Sequence, residues 1–149
     1  MKILHPTDFS DCAAEAQEKA IWLARVLGAE LILFHVSLEA PLYGEGLVAM
    51  KDVRRLFDAQ RKWAGETLEA RAAALREAGL TARWLLRVGV PYEEIVRVAE
   101  EEAADMIVIG THGRGGLARF FLGSVADRVI RTASCPVITV RENKGAGSG

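Results

Sequence analysis

Five short apolar runs alternate along the chain with four stretches in which apolar residues recur every three or four positions. No other feature constrains the fold as strongly, since strands that alternate with helices are joined by crossovers into a parallel sheet. The run Glu30-Leu31-Ile32-Leu33-Phe34-His35-Val36 is almost wholly apolar, the pattern of a central strand covered on both faces. Lys2 to Pro6, Thr81 to Val88, Met106 to Ile109 and Pro136 to Arg141 supply the other strands. Helices are expected from Ala13 to Leu27, closed by Gly28, and from Val53 to Leu75, closed by Gly79. A third opens at Pro91 with Tyr92, Ile95, Val96 and Ala99 on one side, and a fourth runs to Thr132. The expected fold is a single α/β domain, an open five-stranded parallel sheet with helices on both faces and right-handed crossovers. At 149 residues, half of them hydrophobic, the chain can bury one sizeable core and is too short for two ordinary domains. That domain is placed at residues 1–142, and the small polar residues of 143–149 form a tail expected to be disordered.

The second informative stretch is Gly110-Thr111-His112-Gly113-Arg114-Gly115-Gly116, which follows a strand and leads through Leu117 to Leu122 into Gly123-Ser124-Val125-Ala126 and a helix. Glycines let backbone N–H groups approach a ligand and adopt positive φ. Ser124 is placed to cap a helix whose first N–H groups and dipole attract phosphate. The loop is not a Walker A loop, because Gly123 stands where lysine would precede Ser124. Gly113-x-Gly115-x-x-Ala118 matches a dinucleotide fingerprint, yet only one strand follows it, too little for a second half-domain.

In a parallel sheet, ligands bind beyond the carboxyl ends of the strands at the point where the order reverses. The groups at those ends are Thr7 and Asp8, Val36 and Ser37, Gly89, and the glycine loop; they are expected to converge on one cleft. The connection from Ser37 to Met50 contains Pro41, Gly44 and Gly46, has no period and reads as a surface loop.

Other residues are assigned structural roles. Cys12 and Cys135 form no C-x-x-C pair, and Cys12 has no arginine after it to make a phosphatase-type loop. His5 and His35 read as packed neutral side chains, two imidazoles without a third ligand making a poor metal site. Glu100-Glu101-Glu102 reads as a solvated helix end, since adjacent helical residues point apart. His112 lies within the loop, in reach of ribose or phosphate, but without a visible orienting partner for a general base. With 19 basic and 20 acidic residues spread along it, the chain carries no electrostatic footprint for nucleic acid or a membrane surface. No run approaches a membrane span and the first residues do not form a signal sequence, so a cytoplasmic location is expected.

The assembled residues resemble the universal stress protein family over nearly the whole chain. Pro6-Thr7-Asp8-Phe9-Ser10 is similar to its first-strand turn, Leu33-Phe34-His35-Val36 to its second strand, and Val88-Gly89-Val90-Pro91 with Glu94-Ile95-Val96 to its third unit. Most specific is Gly110-x2-Gly113-x9-Gly123-Ser124, the pattern of the ATP-binding branch, with Gly123-Ser124-Val125-Ala126 and Cys135-Pro136-Val137 also typical. The resemblance implies a Rossmann-like adenine-nucleotide-binding domain of strand order 3-2-1-4-5, holding ATP with Mg²⁺ and pairing as a homodimer through the last strand, Pro136 to Arg141. It implies that Asp8 faces the nucleoside, with Pro6 and Thr7 also among the nucleotide-binding residues, and that Val36 meets adenine through its backbone. Gly110, Gly113, Gly123, Ser124 and Val125 would hold ribose and phosphates, with His112 and, by extrapolation, Arg114 as further contacts; Arg119 lies in the variable part of the loop.

Two function classes follow: a nucleotide-dependent regulatory module acting in the stress response on an unidentified downstream partner, or a slow ATPase or phosphotransferase using the same loop. The first is favoured, because the loop has no lysine, the chain has no paired acids for Mg²⁺ beyond Asp8, and no base is evident. No catalytic residue and no resident metal site are assigned. The absence of an acidic pair after the first strand disfavours a receiver domain.

Overall fold

A computed structural model describes residues 1–41, 50–113 and 122–143. The elements in order are β1 (Lys2–Pro6), α1 (Asp11–Leu27), β2 (Glu30–Ser37), α2 (Met50–Glu77), β3 (Ala82–Val88), α3 (Pro91–Glu101), β4 (Met106–Gly110), α4 (Ser124–Thr132) and β5 (Val137–Val140). All neighbouring strands are parallel, in the order β3-β2-β1-β4-β5, as the resemblance implied.

Alternation along each strand builds two cores. Ile3, Leu31, Leu33 and Val108 face α1 and α2, which contribute Ala20, Ala24, Leu68, Ala72 and Leu75. Leu4, Ile32, Phe34, Ile107 and Ile109 face α3 and α4, which contribute Ile95, Val98, Ala99, Ala126 and Val129. Both faces of β1 and β2 are therefore buried, which is why their sequences are continuous apolar runs. Four alanines of α1 (Ala13, Ala16, Ala20, Ala24) are buried on one face, so this helix approaches the sheet closely, while Ala14 is exposed.

Punctuation follows the sequence with small shifts. Ser10 caps α1, its hydroxyl accepting from the Ala13 N–H at 3.2 Å. Gly28 ends it at φ 61°, where a side chain would be strained, and Ala29 N–H reaches back to the Ala24 carbonyl at 2.9 Å. Pro136 flanks β5 instead of opening it; lacking an N–H, it contributes only its carbonyl, which accepts from Ile107 at 2.9 Å. In α3 it is Val98, not Val96, that is fully buried.

The acidic end of α3 is not simply solvated. Glu102 receives Arg83 and Lys2, and Glu101 receives Arg87 at 2.9 Å, so the end of the helix is tied to β3 and to the start of β1. The arginines of β3 supply what the acids alone could not show. Among the described residues no helix is long and apolar enough to cross a membrane. The expected tail lies, apart from Asn143, outside the described residues, as do residues 42–49 of the Ser37 to Met50 connection.

Candidate functional site

A cleft of about 780 Å³ opens beyond the carboxyl ends of the strands, a volume within the usual range for small-molecule sites. It straddles β1 and β4, where the sheet order turns from one direction to the other.

From the end of β1 and the turn after it come Pro6, Thr7 and Asp8. The turn after them is made by its own side chains: Phe9 N–H donates to Thr7 Oγ1 at 3.1 Å and Ser10 N–H to Asp8 Oδ1 at 3.0 Å. Phe9 itself sits at φ 63°, a conformation that aromatic residues rarely adopt. Its ring is held against His35 and Trp63, both with centroids 4.8 Å away, and under the Arg71 guanidinium. This anchorage sustains the strained turn that presents Asp8 to the cleft.

From β2 come Val36 and Ser37. From the end of β4 and the loop after it come Gly110, His112 and Gly113, and from the start of α4 Gly123, Ser124 and Val125. The structure thus brings ten of the expected site residues to one cleft, while Arg114 lies outside the described residues, as do Gly115, Gly116, Ala118 and Arg119. Gly89 does not line it; the contribution after β3 is made by Pro91 and Ile95, at the start of α3.

The glycines act differently from the sequence expectation. Among the described glycines only Gly28, Gly79 and Gly89 have positive φ, so Gly110, Gly113 and Gly123 are not needed for left-handed backbone. They are needed for contact. A Cβ on Gly113 would stand 2.8 Å from Asp8 Oδ2, and one on Gly123 would stand 2.8 Å from the Thr111 carbonyl oxygen. Gly123 N–H donates to that same carbonyl at 2.6 Å, closing the neck of the loop.

Gly123, not Ser124, is the N-cap of α4; Ser124 is its first helical residue, so its hydroxyl is not used for capping. The first backbone bond of the helix is Asp127 N–H to Gly123 O at 2.9 Å. The N–H groups of Ser124, Val125 and Ala126 precede it, in the turn where the helix offers donors and a positive dipole end, and all three residues line the cleft.

His112 does have an orienting partner, contrary to expectation. Its Nδ1 lies 2.8 Å from Thr111 Oγ1, and the Thr111 backbone is fixed by its N–H on the Val140 carbonyl at 2.9 Å. The partner is the adjacent residue, a contact that depends on loop conformation and leaves no spacing signature. Cys12 is buried beneath this loop, its thiol donating to the Val140 carbonyl at 3.4 Å.

His5 and His35 are indeed packed side chains on adjacent strands, each with Nδ1 on a backbone carbonyl, that of Val108 at 2.9 Å and of Thr7 at 2.7 Å. Burial is the chief reason the His5 pKa falls to about 4, so its ring is neutral.

One wall was missed altogether. Leu56, Phe57 and Gln60 of α2 line the cleft. They continue the buried stripe of Ala64, Leu68, Ala72 and Leu75 by one and two turns. The sequence showed that stripe, but not that the helix outruns the strands and carries it past the core.

With this geometry in place, the comparisons decide the family. The family model described as "Universal stress protein family" matches residues 1–141. The chain belongs to the universal stress protein family. Universal stress protein MJ0531 of Methanocaldococcus jannaschii is 38% identical over 143 residues, covering 96% of this chain and 83% of that one. The structure of MJ0577 from the same organism, also a universal stress protein, superposes with a TM-score of 0.84 at 32% identity, covering 97% of both chains. A universal stress protein from Archaeoglobus fulgidus, solved in complex with dAMP, superposes with a TM-score of 0.62 at 31% identity, covering 94% of this chain and 97% of that one. Universal stress proteins of this fold thus include one whose structure holds an adenine nucleotide.

Proposed function

We propose that this universal stress protein is an ATP-binding regulatory module of the stress response. In this reading Asp8, Pro6, Thr7 and Val36 take the nucleoside, and Gly110, His112, Gly113, Gly123, Ser124 and Val125 take ribose and phosphates. The observation that carries it is the open first turn of α4, which faces the same cleft as the Asp8 turn. Backbone donors at a helix N-terminus complement phosphate, and a carboxylate complements a nucleoside's hydroxyl and amine donors. The dAMP complex of the Archaeoglobus relative supports the same ligand class. Binding, not turnover, is the function in this reading, and the nucleotide acts through its differential affinity for two conformations. A cytoplasmic location belongs to the proposal, with the two free cysteines suited to a reducing compartment.

Calorimetry with adenosine and ATP tests it. Wild-type protein is expected to bind ATP and to keep it intact for many minutes in a single-turnover assay. Asp8→Ala is expected to weaken adenosine and ATP binding alike, by about tenfold for one charge-assisted hydrogen bond. A loss confined to ATP and cured by excess Mg²⁺ would make Asp8 a metal ligand instead.

The proposed homodimer forms through β5, and the contrast between the two sheet edges supports it. β3 carries Arg83 and Arg87 paired with Glu30, Glu102 and Glu101, charges that guard an edge. β5 is Val137-Ile138-Thr139-Val140, without a charge. The carbonyls of Pro136 and Val140 accept from β4, so in a parallel ladder the groups of Val137 and Thr139 face outward. Thr139→Pro therefore deletes an outward donor while sparing the inner ladder, and is expected to convert a dimer into a monomer in sedimentation velocity. A wild type already monomeric at micromolar concentration refutes the dimer.

A further inference from the structure

Gln60 occupies a position of α2 that the pattern reserves for an apolar side chain. It lies one turn before Ala64 on the stripe that continues through Leu68, Ala72 and Leu75, and follows Phe57 by three residues. Gln60 is exposed where it borders the cleft, and its amide has two partners: Ser37 Oγ at 3.3 Å from its Oε1 and His35 Nε2 at 3.4 Å from its Nε2.

The orientation of the amide is dictated by a chain of donors and acceptors. The Thr7 carbonyl can only accept, so His35 Nδ1, 2.7 Å from it, carries the proton. The Gln60 amide nitrogen faces Nε2 of the ring at 3.4 Å and donates to it when that nitrogen carries no proton. Oε1 consequently faces the Ser37 hydroxyl. A carboxamide has two N–H donors and two carbonyl lone pairs. After these contacts each end retains one, and Gln60 lines the cleft at the end of β2.

Building on the nucleotide reading, we infer that Gln60 is a specificity-determining residue. Held by His35 and Ser37, it presents one N–H donor and one carbonyl acceptor to the base of the bound nucleotide. The edge that matches is a ring-nitrogen acceptor beside an exocyclic amine, which adenine has. Glutamine pairs with adenine in this bidentate way in nucleic-acid recognition. Hypoxanthine, with a carbonyl in place of the amine, sets oxygen against Oε1. The wall that α2 adds to the cleft thus adds a side-chain reading of the base to the backbone contact of Val36.

The test is competitive calorimetry with ATP and ITP on wild type, Gln60→Met and Ser37→Ala. Wild type is expected to prefer ATP by about tenfold or more, the discrimination of one bidentate pair. Gln60→Met, similar in length but without hydrogen-bonding groups, is expected to lower the ATP-to-ITP affinity ratio by about tenfold. Ser37→Ala, which releases one end of the amide, is expected to lower that ratio partway. A structural effect of either substitution would weaken both nucleotides equally. If wild type binds ATP and the ratio is unchanged in Gln60→Met, the inference fails while the nucleotide reading stands. If wild type binds neither nucleotide, both fall.

Discussion

Gly123→Val is expected to lower ATP affinity by a hundredfold or more while leaving the fold intact. The neck of the loop closes by the bond from Gly123 N–H to the Thr111 carbonyl at 2.6 Å, and a Cβ at Gly123 would lie 2.8 Å from that oxygen. The oxygen cannot move aside cheaply, because Thr111 is itself fixed to Val140 through its N–H at 2.9 Å. Valine must instead push the start of α4 away, taking with it the N–H groups of Ser124 and Val125. Losing two hydrogen bonds to a charged phosphate costs about 3–6 kcal/mol, which is more than a hundredfold in affinity. The remainder of α4 is anchored in the core by Ala126 and Val129, so circular dichroism should be unchanged. Adenosine, which lacks phosphates, is expected to lose much less. ATP affinity equal to wild type in calorimetry would remove α4 from the site. Gly113→Ala is a milder change, because the obstacle there is the end of the Asp8 side chain, not backbone.

The second large effect concerns pH and stability. His5 is fully buried, and its Nε2 has no hydrogen-bond partner among the described residues. Arg71 from α2 further disfavours a charged ring, while the Val108 carbonyl and Asp8 favour it more weakly than burial opposes it. The folded pKa is about 4 against 6.5 for an unperturbed ring. Between these values the unfolded chain binds a proton that the folded chain refuses. Stability is therefore full above about pH 6.5, declines as pH falls toward 4, and is not lowered further by this group below that. A shift of this size corresponds to about 3 kcal/mol. Urea denaturation at a series of pH values should show wild type losing about that much more between pH 7 and pH 4 than His5→Leu, whose side chain has no proton to bind. Parallel pH profiles for the two proteins would show that the ring takes up its proton without unfolding.

The histidines illustrate how far the sequence could be read. Two imidazoles inside strongly apolar strands had to be packed. Which carbonyl holds each ring follows from the registers of β1 with β4 and of β2 with β1, and these are tertiary. The acidic end of α3 shows the same limit. Adjacent glutamates diverge on any helix, but their cations sit on β3 and at the start of β1, far away in sequence.

The sequence by itself determined the element order, the parallel sheet and the location of the cleft, because periodicity and turn residues act locally and leave few ways to connect alternating strands and helices. Its glycine spacing also marked Gly110, Gly113, Gly123 and Ser124. Tertiary structure decided why those positions are glycine: an Asp8 oxygen and a Thr111 carbonyl occupy the space where a Cβ would stand. It also decided that α2 outruns the strands, so a stripe that reads as core along its whole length ends as the wall carrying Gln60. Periodicity reports which face of a helix is covered. What covers it, core or ligand cleft, depends on where neighbouring strands stop, and no local pattern in α2 records that.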